Sequence, residues 1–462
     1  MACGSCLRSA LRSRWGASSL ALLIASSTVW PAVAGETPTS EPTTTTAQRL
    51  DLDSVVAEIL DRNPEIKFYS AEIAAARGGA RTAGTWPNPE AAGTVGDKRV
   101  TGDGPAGEGV TWSVSLKMVF EWPGRISLRK AIANQQIGLA ELGFEQFKAA
   151  LTTRARTVAF ALAVAEQKAD AAQEVADRFR ALREVLVQRD PAGITPQLEA
   201  RVIEATAISM LRRASDAALA GQAAMLEVNQ LRGVPWAQTL RVMPAELTFI
   251  PPPSMDALLA AAQKNNFDIL MRRVELEQQG FKVALARNER YPAFSVGPYV
   301  LQERARDREQ QFGLAVSVPL PLWNRNEGNI ETAAARQKQA ETSMYVTQRS
   351  VERQVAEKTT TYQTKLTEIQ KWRPESVSEF RKAAELADRH YRLGAVPIAT
   401  YVELQRQYLD AAEALLEARH EAFEAAQQLE LLTGLEIKAV HTTIPIRSLR
   451  RPPASAGQPA KP

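Results

Sequence analysis

Cysteine is nearly absent from this sequence. The only two, Cys3 and Cys6, precede an apolar run from Ala17 to Val29 that follows Arg8, Arg12 and Arg14 and ends at Ala32-Val33-Ala34. Basic residues, a short apolar stretch and small residues at an A-x-A site have the form of a secretory signal. Residues 1–34 are therefore expected to be removed. On that expectation the mature protein has no disulfide, no thiolate nucleophile, no cysteine metal site and no cysteine positioned for an acyl anchor.

Three further scarcities narrow the choice. Beyond the leader no apolar run reaches 18 residues, which excludes an inner-membrane helical protein but not a β-barrel, whose strands need only about 10 alternating residues. The formal charge of +4 falls to +1 once the three leader arginines leave, so nucleic-acid binding gains no support. There are three histidines, His390, His420 and His441, and no H-E-x-x-H. The glycine-rich stretch 102–109 lacks the Lys-Ser/Thr of a phosphate-binding loop, and no G-x-S-x-G occurs. The chain reads as a non-enzyme with no cofactor and no resident metal site.

What is present is a long internal repeat. Asp53, Asn63, Glu65, Ile66 and Pro89 lie 203 residues before Asp256, Asn266, Asp268, Ile269 and Pro292. Trp122, Gly193, Pro196, Leu231 and Gly233 lie 201 residues before Trp323, Gly394, Pro397, Leu432 and Gly434. Expected boundaries are a leader (1–34), an N-terminal extension (35–51), a first repeat (52–233), a proline-rich linker (234–255), a second repeat (256–434) and a disordered tail (435–462). Units this long and this few are not a short-period solenoid.

Each unit carries the same pattern. A helical stretch (54–83; 257–288) is followed by two strands (about 88–98 and 110–120; 291–301 and 311–321) around a polar tip, then by a very long helix (126–189; 328–389). At 1.5 Å per residue such a helix spans on the order of 90–100 Å, which demands a tube, stalk or coiled coil. A Gly/Pro turn (190–196; 391–397) then reverses the chain into a return helix. On the second return helix Ile398, Val402, Leu409, Ala412, Leu416 and Phe423 follow a 4,3 spacing, interrupted at Gln405 and Arg419.

From Val110 to Phe120 the even positions are all apolar and the odd ones mostly polar, and Phe312 to Leu320 alternates likewise. Alternation of this length suits a strand with one face to lipid and one to water. Trp86, Trp122, Tyr291 and Trp323 flank the strands on the helix side, where an interfacial aromatic belt belongs. Four strands cannot close a barrel, and open edges are not tolerated in lipid, so the repeat demands that subunits share one.

A secretory leader with two copies of strand pair plus long helical hairpin resembles the TolC-like outer-membrane efflux family. The resemblance covers 52–435 and is most specific in 316–328 and in 391–397. The former is similar to the Czc-type, heavy-metal cation branch. This implies a mainly α fold with a membrane β-barrel part: a homotrimer with a 12-stranded barrel, a periplasmic helical tunnel and an equatorial belt near Pro251–Pro253. It implies a passive exit duct in the outer membrane, in contact with its lipid. Partners would be a periplasmic adaptor protein and an inner-membrane pump, expected to be of RND type. Adaptor-contact candidates are Gly193, Ile194, Thr195, Leu393, Gly394, Ala395 and Val396, where glycine and proline also serve simple chain reversal. Where some relatives carry two aspartates, this chain has Thr400 and Glu403. The repeat sets Glu199 opposite Thr400, making Glu199 and Glu403 candidate tunnel-entrance acids. Divalent cations are the expected cargo; organic compounds, or a pore-free periplasmic scaffold, are the alternatives.

Overall fold

Asp51 accepts a hydrogen bond from the Ser54 amide at 3.1 Å and so starts the first helix, α1 (Leu52–Arg62), whose last turn ends on a basic residue. The computed structural model describes residues 48–437 except 103–105, 190–193, 243–246, 248, 306 and 373–375. The expected leader, residues 35–47 of the extension, Gly193 and the tail beyond 437 lie outside the described residues. All described residues fall in one unit that begins at Thr46.

The remaining elements run α2 (Glu65–Ala83), β2 (Glu90–Val100), β3 (Gly107–Phe120), α3 (Arg125–Arg189), α4 (Ile194–Arg232), α5 (Met255–Asn265), α6 (Phe267–Asn288), β5 (Phe294–Arg304), β6 (Arg308–Ser317), α7 (Glu327–Lys371), α8 (Ser376–Arg392) and α9 (Ile398–Thr433). Two three-residue strands, β1 (Gln48–Leu50) and β4 (Leu240–Val242), pair in parallel. Helix, helix, strand, strand, long helix, return helix thus occurs twice. No described helix is long and apolar enough to cross a membrane.

Several expected elements are corrected. The stretches read as single helices over 54–83 and 257–288 are each broken, at Asn63-Pro64 and at Asn266. The Asn63 carboxamide accepts from the Glu65 amide at 2.9 Å, and that of Asn266 from Asp268 at 3.0 Å and Ile269 at 3.3 Å. A side chain that caps the next helix ends the previous one. The first long helix is continuous, about 100 Å at 1.5 Å per residue. The second is not: α7 ends at Lys371, Trp372 is extended, and the chain holds Pro374 before α8 resumes. Proline offers no amide to the helix ladder and pushes its predecessor towards extended backbone.

The strand limits also move. The second pair was expected at 291–301 and 311–321, but Pro292 delays β5, and β6 stops at Ser317 ahead of Pro319 and Pro321. At the far end the strands run on through polar residues, where Arg99 pairs with Glu108 at 2.8 Å across the first hairpin. The linker contains β4, a strand too short to read from alternation.

β2, β3, β5 and β6 form one antiparallel sheet in that order. β2 and β5 follow α2 and α6, β3 and β6 lead to α3 and α7, and those helices pack in the corresponding order: α2 on α3, α3 on α6, α6 on α7. Further from the sheet, α3 packs on α4 and α9, and α9 on α7 and α8. One buried cluster surrounds Leu162, Phe160, Phe423 and Leu429 and takes in Val55, Ile59 and Leu258 of the short helices, together with Leu240 and Val242 of the linker strand. Tyr362 of α7 donates to the Ile250 carbonyl at 2.8 Å there, and burial pushes its hydroxyl pKa up to about 12. A second cluster, rich in alanine, joins α3, α4, α8 and α9 towards the turns. Its α9 contribution corrects the expected seam. Tyr401, Gln405, Tyr408 and Ala412 are buried, whereas Arg419 is exposed. Gln405 is tolerated because it donates to the Ala384 carbonyl at 2.8 Å and accepts from Arg178 at 3.3 Å.

Candidate functional site

The sheet separates two chemistries by its register. One face, read row by row from the helix end, holds Phe120 and Phe294; Met118, Val296 and Val316; Leu116, Pro298 and Leu314; Val114, Val300 and Phe312. Phe312, Leu314 and Val316 are 74%, 66% and 61% exposed within the single chain. An apolar surface of this extent must be covered by something other than water.

The opposite face is polar. Thr94 and Ser113 share a 2.6 Å hydrogen bond, and Ser115, Ser295 and Ser317 follow towards the helices. Near the tips Lys98 of β2 makes an ion pair with Glu303 of β5 and lies 3.9 Å from Glu309 of β6. The intervening residue on β3 is Gly109, opposite Lys98. A Cβ on Gly109 would lie 1.6 Å from the Arg304 carbonyl oxygen.

Where the sheet meets the helices, Trp122 stacks on Tyr291 at 5.0 Å and Phe120 on Phe294 at 5.5 Å, with Trp86 edge-on to Phe120. Trp86, Trp122, Tyr291 and Trp323 are all exposed. Buried Arg125 fixes the junction by donating to the Asn288 side chain at 3.1 Å and to the Tyr291 carbonyl at 2.7 Å. Both edge strands, β2 and β6, pair on one side only.

At the other end the second turn closes α8. The Gly394 amide donates to the Tyr391 carbonyl and that of Ala395 to His390, both at 2.9 Å, with Gly394 at φ +77°. This is a Schellman cap, which requires a left-handed residue after the helix and hence favours glycine. It leaves Leu393 79% exposed, with Gly394 and Ala395 exposed and Val396 half-buried. In the first turn Gly193 lies outside the described residues, and Ile194 and Thr195 open α4.

The candidate acids take separate partners. Glu199 on α4 accepts from the Tyr391 hydroxyl at 2.9 Å, which ties the first hairpin to the second. Tyr391 stacks on buried Tyr401 at 5.3 Å, and Tyr401 meets Phe179 edge-on. Burial raises the Tyr401 hydroxyl well above its ordinary pKa. Glu403 is exposed and accepts from Gln407 one turn on. Arg381 to Glu174 at 3.0 Å and Arg178 to Glu385 at 3.5 Å add cross-links between α8 and α3 that the sequence reading missed. Charged residues at non-repeating spacing on separate helices leave no signal that would have found them.

Among the described residues no three His, Cys, Asp or Glu side chains gather as a metal site. His390 is exposed near the turn, and His420 stacks on Phe160 at 6.2 Å.

Residues 258–435 match the family described as "Outer membrane efflux protein". The chain is 23% identical over 287 residues to the cobalt-zinc-cadmium resistance protein CzcC of Cupriavidus metallidurans, a match that covers 62% of this chain and 66% of that relative, just under two thirds. The fold is similar to that of CusC, with a TM-score of 0.67 and 15% identity over 84% of this chain and 93% of that one. It is likewise similar to the Campylobacter jejuni CmeC outer membrane channel, with a TM-score of 0.69 and 15% identity over 86% and 88% of the two chains.

Proposed function

We propose that this chain, whose residues 258–435 match the outer membrane efflux protein family, is one subunit of a passive efflux duct that sits in the outer membrane and extends into the periplasm. The observation that carries the reading is the four-stranded sheet with one apolar and one polar face and two unpaired edges. Unpaired backbone amides and carbonyls cannot remain in lipid, so copies of the chain must join edge to edge. Three copies give the 12-stranded barrel that the family resemblance implies, with the serine, threonine and Lys98–Glu303 face lining a wet lumen.

The helices carry the duct onward. α2, α3, α6 and α7 continue the wall strand by strand, and the second hairpin turn lies at its far end. There Leu393, Gly394, Ala395 and Val396, together with Gly193, Ile194 and Thr195, are the proposed contacts for a periplasmic adaptor. The adaptor would couple the duct to an inner-membrane pump of RND type. In a trimer the exposed Glu403 side chains would form an acidic ring at the entrance, which concentrates cations there. Glu199 joins that end of the duct through Tyr391.

Divalent heavy-metal cations are the proposed cargo, on the similarity to CzcC and to the Czc-type branch in residues 316–328. Two experiments test these levels separately. Fractionation without detergent should leave the protein in the outer membrane; a soluble periplasmic protein would remove the duct reading. A deletion strain should lose tolerance to zinc, cobalt, cadmium or nickel. Unchanged metal tolerance with new sensitivity to organic compounds would replace the cargo and keep the duct.

A further inference from the structure

Along β5 and β6 the apolar face ends in charge of a single sign, whereas β2 and β3 end it in Asp97, Arg99 and Glu108. On the β5–β6 hairpin the rows run Val296 opposite Val316, Pro298 opposite Leu314, Val300 opposite Phe312, Gln302 opposite Gln310, and finally Arg304 opposite Arg308. From Phe120 to Val110, which share rows with Phe294 and Arg304, a strand rising about 3.3 Å per residue at a tilt of about 40° climbs about 25 Å, the height of an outer-membrane apolar band. The two arginines therefore stand at its rim, on the end away from the helices.

Their pairing is costly as it stands. Like charges directly opposite one another in an antiparallel pair are destabilising. Near the same end of the sheet other cations are matched: Arg99 with Glu108 at 2.8 Å, Lys98 with Glu303 and Glu309. Glu303 and Glu309 adjoin the two arginines in sequence, but alternation turns them to the other face. Among the described residues no carboxylate lies within ion-pair distance of Arg304 or Arg308. The nearest acid in their own row is Asp97, two strands from Arg304, about 10 Å away at the usual strand spacing. Arg308 donates to the Gln302 carboxamide oxygen at 3.5 Å, and Gln310 to the same oxygen at 3.3 Å. Both arginines are exposed.

We propose that Arg304 and Arg308 form an outward-facing site for the phosphate of a glycolipid in the outer leaflet, with its acyl chains lying over Val300 and Phe312. Guanidinium forks match phosphate oxygens two at a time, and two of them side by side resolve their repulsion by sharing an anion. The two glutamines offer carboxamides to sugar hydroxyls one layer deeper. The occupant is a phosphorylated glycolipid of the exterior leaflet because the site lies at the rim opposite the helices. A periplasmic phospholipid would meet the sheet at the Trp122–Tyr291 end. The proposal rests on the reading of the sheet as a barrel wall.

The test uses the full-length assembly purified from outer membranes. The native protein should retain a phosphorylated glycolipid through delipidating washes, read by mass spectrometry and bound phosphate. The double variant Arg304→Gln/Arg308→Gln should bind added diphosphorylated glycolipid on the order of tenfold more weakly, and Arg99→Gln should bind it normally. On the native protein, enzymatic removal of the glycolipid's phosphates should weaken binding as much as the double variant does, an arm independent of how any variant folds. Equal binding with and without phosphate, or equal competition by phosphatidylglycerol micelles, would overturn the proposal. If the native protein inserts and conducts yet shows no phosphate preference, only this site falls. A chain that never enters the membrane removes both the site and the duct.

Discussion

The Asn63 side-chain nitrogen donates to the Leu231 carbonyl at 2.9 Å, across 168 residues of sequence. Asn266 donates to the Leu432 carbonyl at 3.1 Å, the same bond in the second unit. In both places one carboxamide ends a helix, caps the next and anchors the last turn of the return helix. Replacing either asparagine by alanine should cost about 1–3 kcal/mol, because a buried carbonyl loses its donor. Aspartate, which can cap but not donate, should lie close to alanine. Melting of the purified assembly would decide this, and an unchanged transition in both alanine variants would show that the bonds carry no weight.

Buried Glu430 gives a pH dependence of definite sign. It lies 3.5 Å from Arg156, both side chains are 7% exposed, and desolvation pushes its carboxyl pKa up to about 7 despite the arginine. Between the ordinary value of 4.5 and about 7 the folded chain holds a proton that the unfolded chain has released. Stability should therefore fall as pH rises through that window, by up to about 3 kcal/mol. Glu430→Gln should flatten the slope, measured as Tm between pH 5 and 8. A slope equal to wild type would assign it to other groups.

The turns can be tested for docking apart from folding. Gly394→Val forces a β-branched residue to φ +77°, at a cost of about 1–2 kcal/mol or more, and should impair efflux. Leu393→Glu changes only an exposed side chain and should weaken adaptor capture while leaving the assembly's melting unchanged. Full efflux in both variants would move the docking surface elsewhere.

Opposite faces of one strand should respond oppositely. Val114→Arg places a charge on the apolar face near mid-sheet and should cost about 2–4 kcal/mol of barrel stability. Ser115→Arg, one residue on, points to the polar face and should insert normally while changing ion conductance. Equal insertion of both variants, scored by heat-resistant migration and membrane fractionation, would remove the assignment of faces.

Much of this protein was legible because its signals are local. Period-2 alternation from Val110 to Phe120, the uninterrupted helix from Arg125 to Arg189 and the glycine at Gly394 follow from the sterics and solvation of neighbouring residues. Prolines 292, 319 and 374 also act locally, so the shifted strand limits and the broken second helix are encoded in neighbouring residues. The break at Asn63 has the same local signal in Pro64, but the one at Asn266 was different. An asparagine with no proline beside it stops a helix here where the distant Leu432 carbonyl holds it.

By itself the sequence determined the repeated order of elements, which faces of the strands are apolar, and the need for more than one copy to close a sheet of four strands. Only the tertiary structure decided that β3 pairs with β5, that Gln405 sits in the α9 seam while Arg419 does not, that Tyr391 reaches Glu199, and that Arg304 faces Arg308. The division has a physical cause. Backbone propensity and amphipathic periodicity act over a few residues, whereas strand register and helix contacts are set by which surfaces the folded chain brings together.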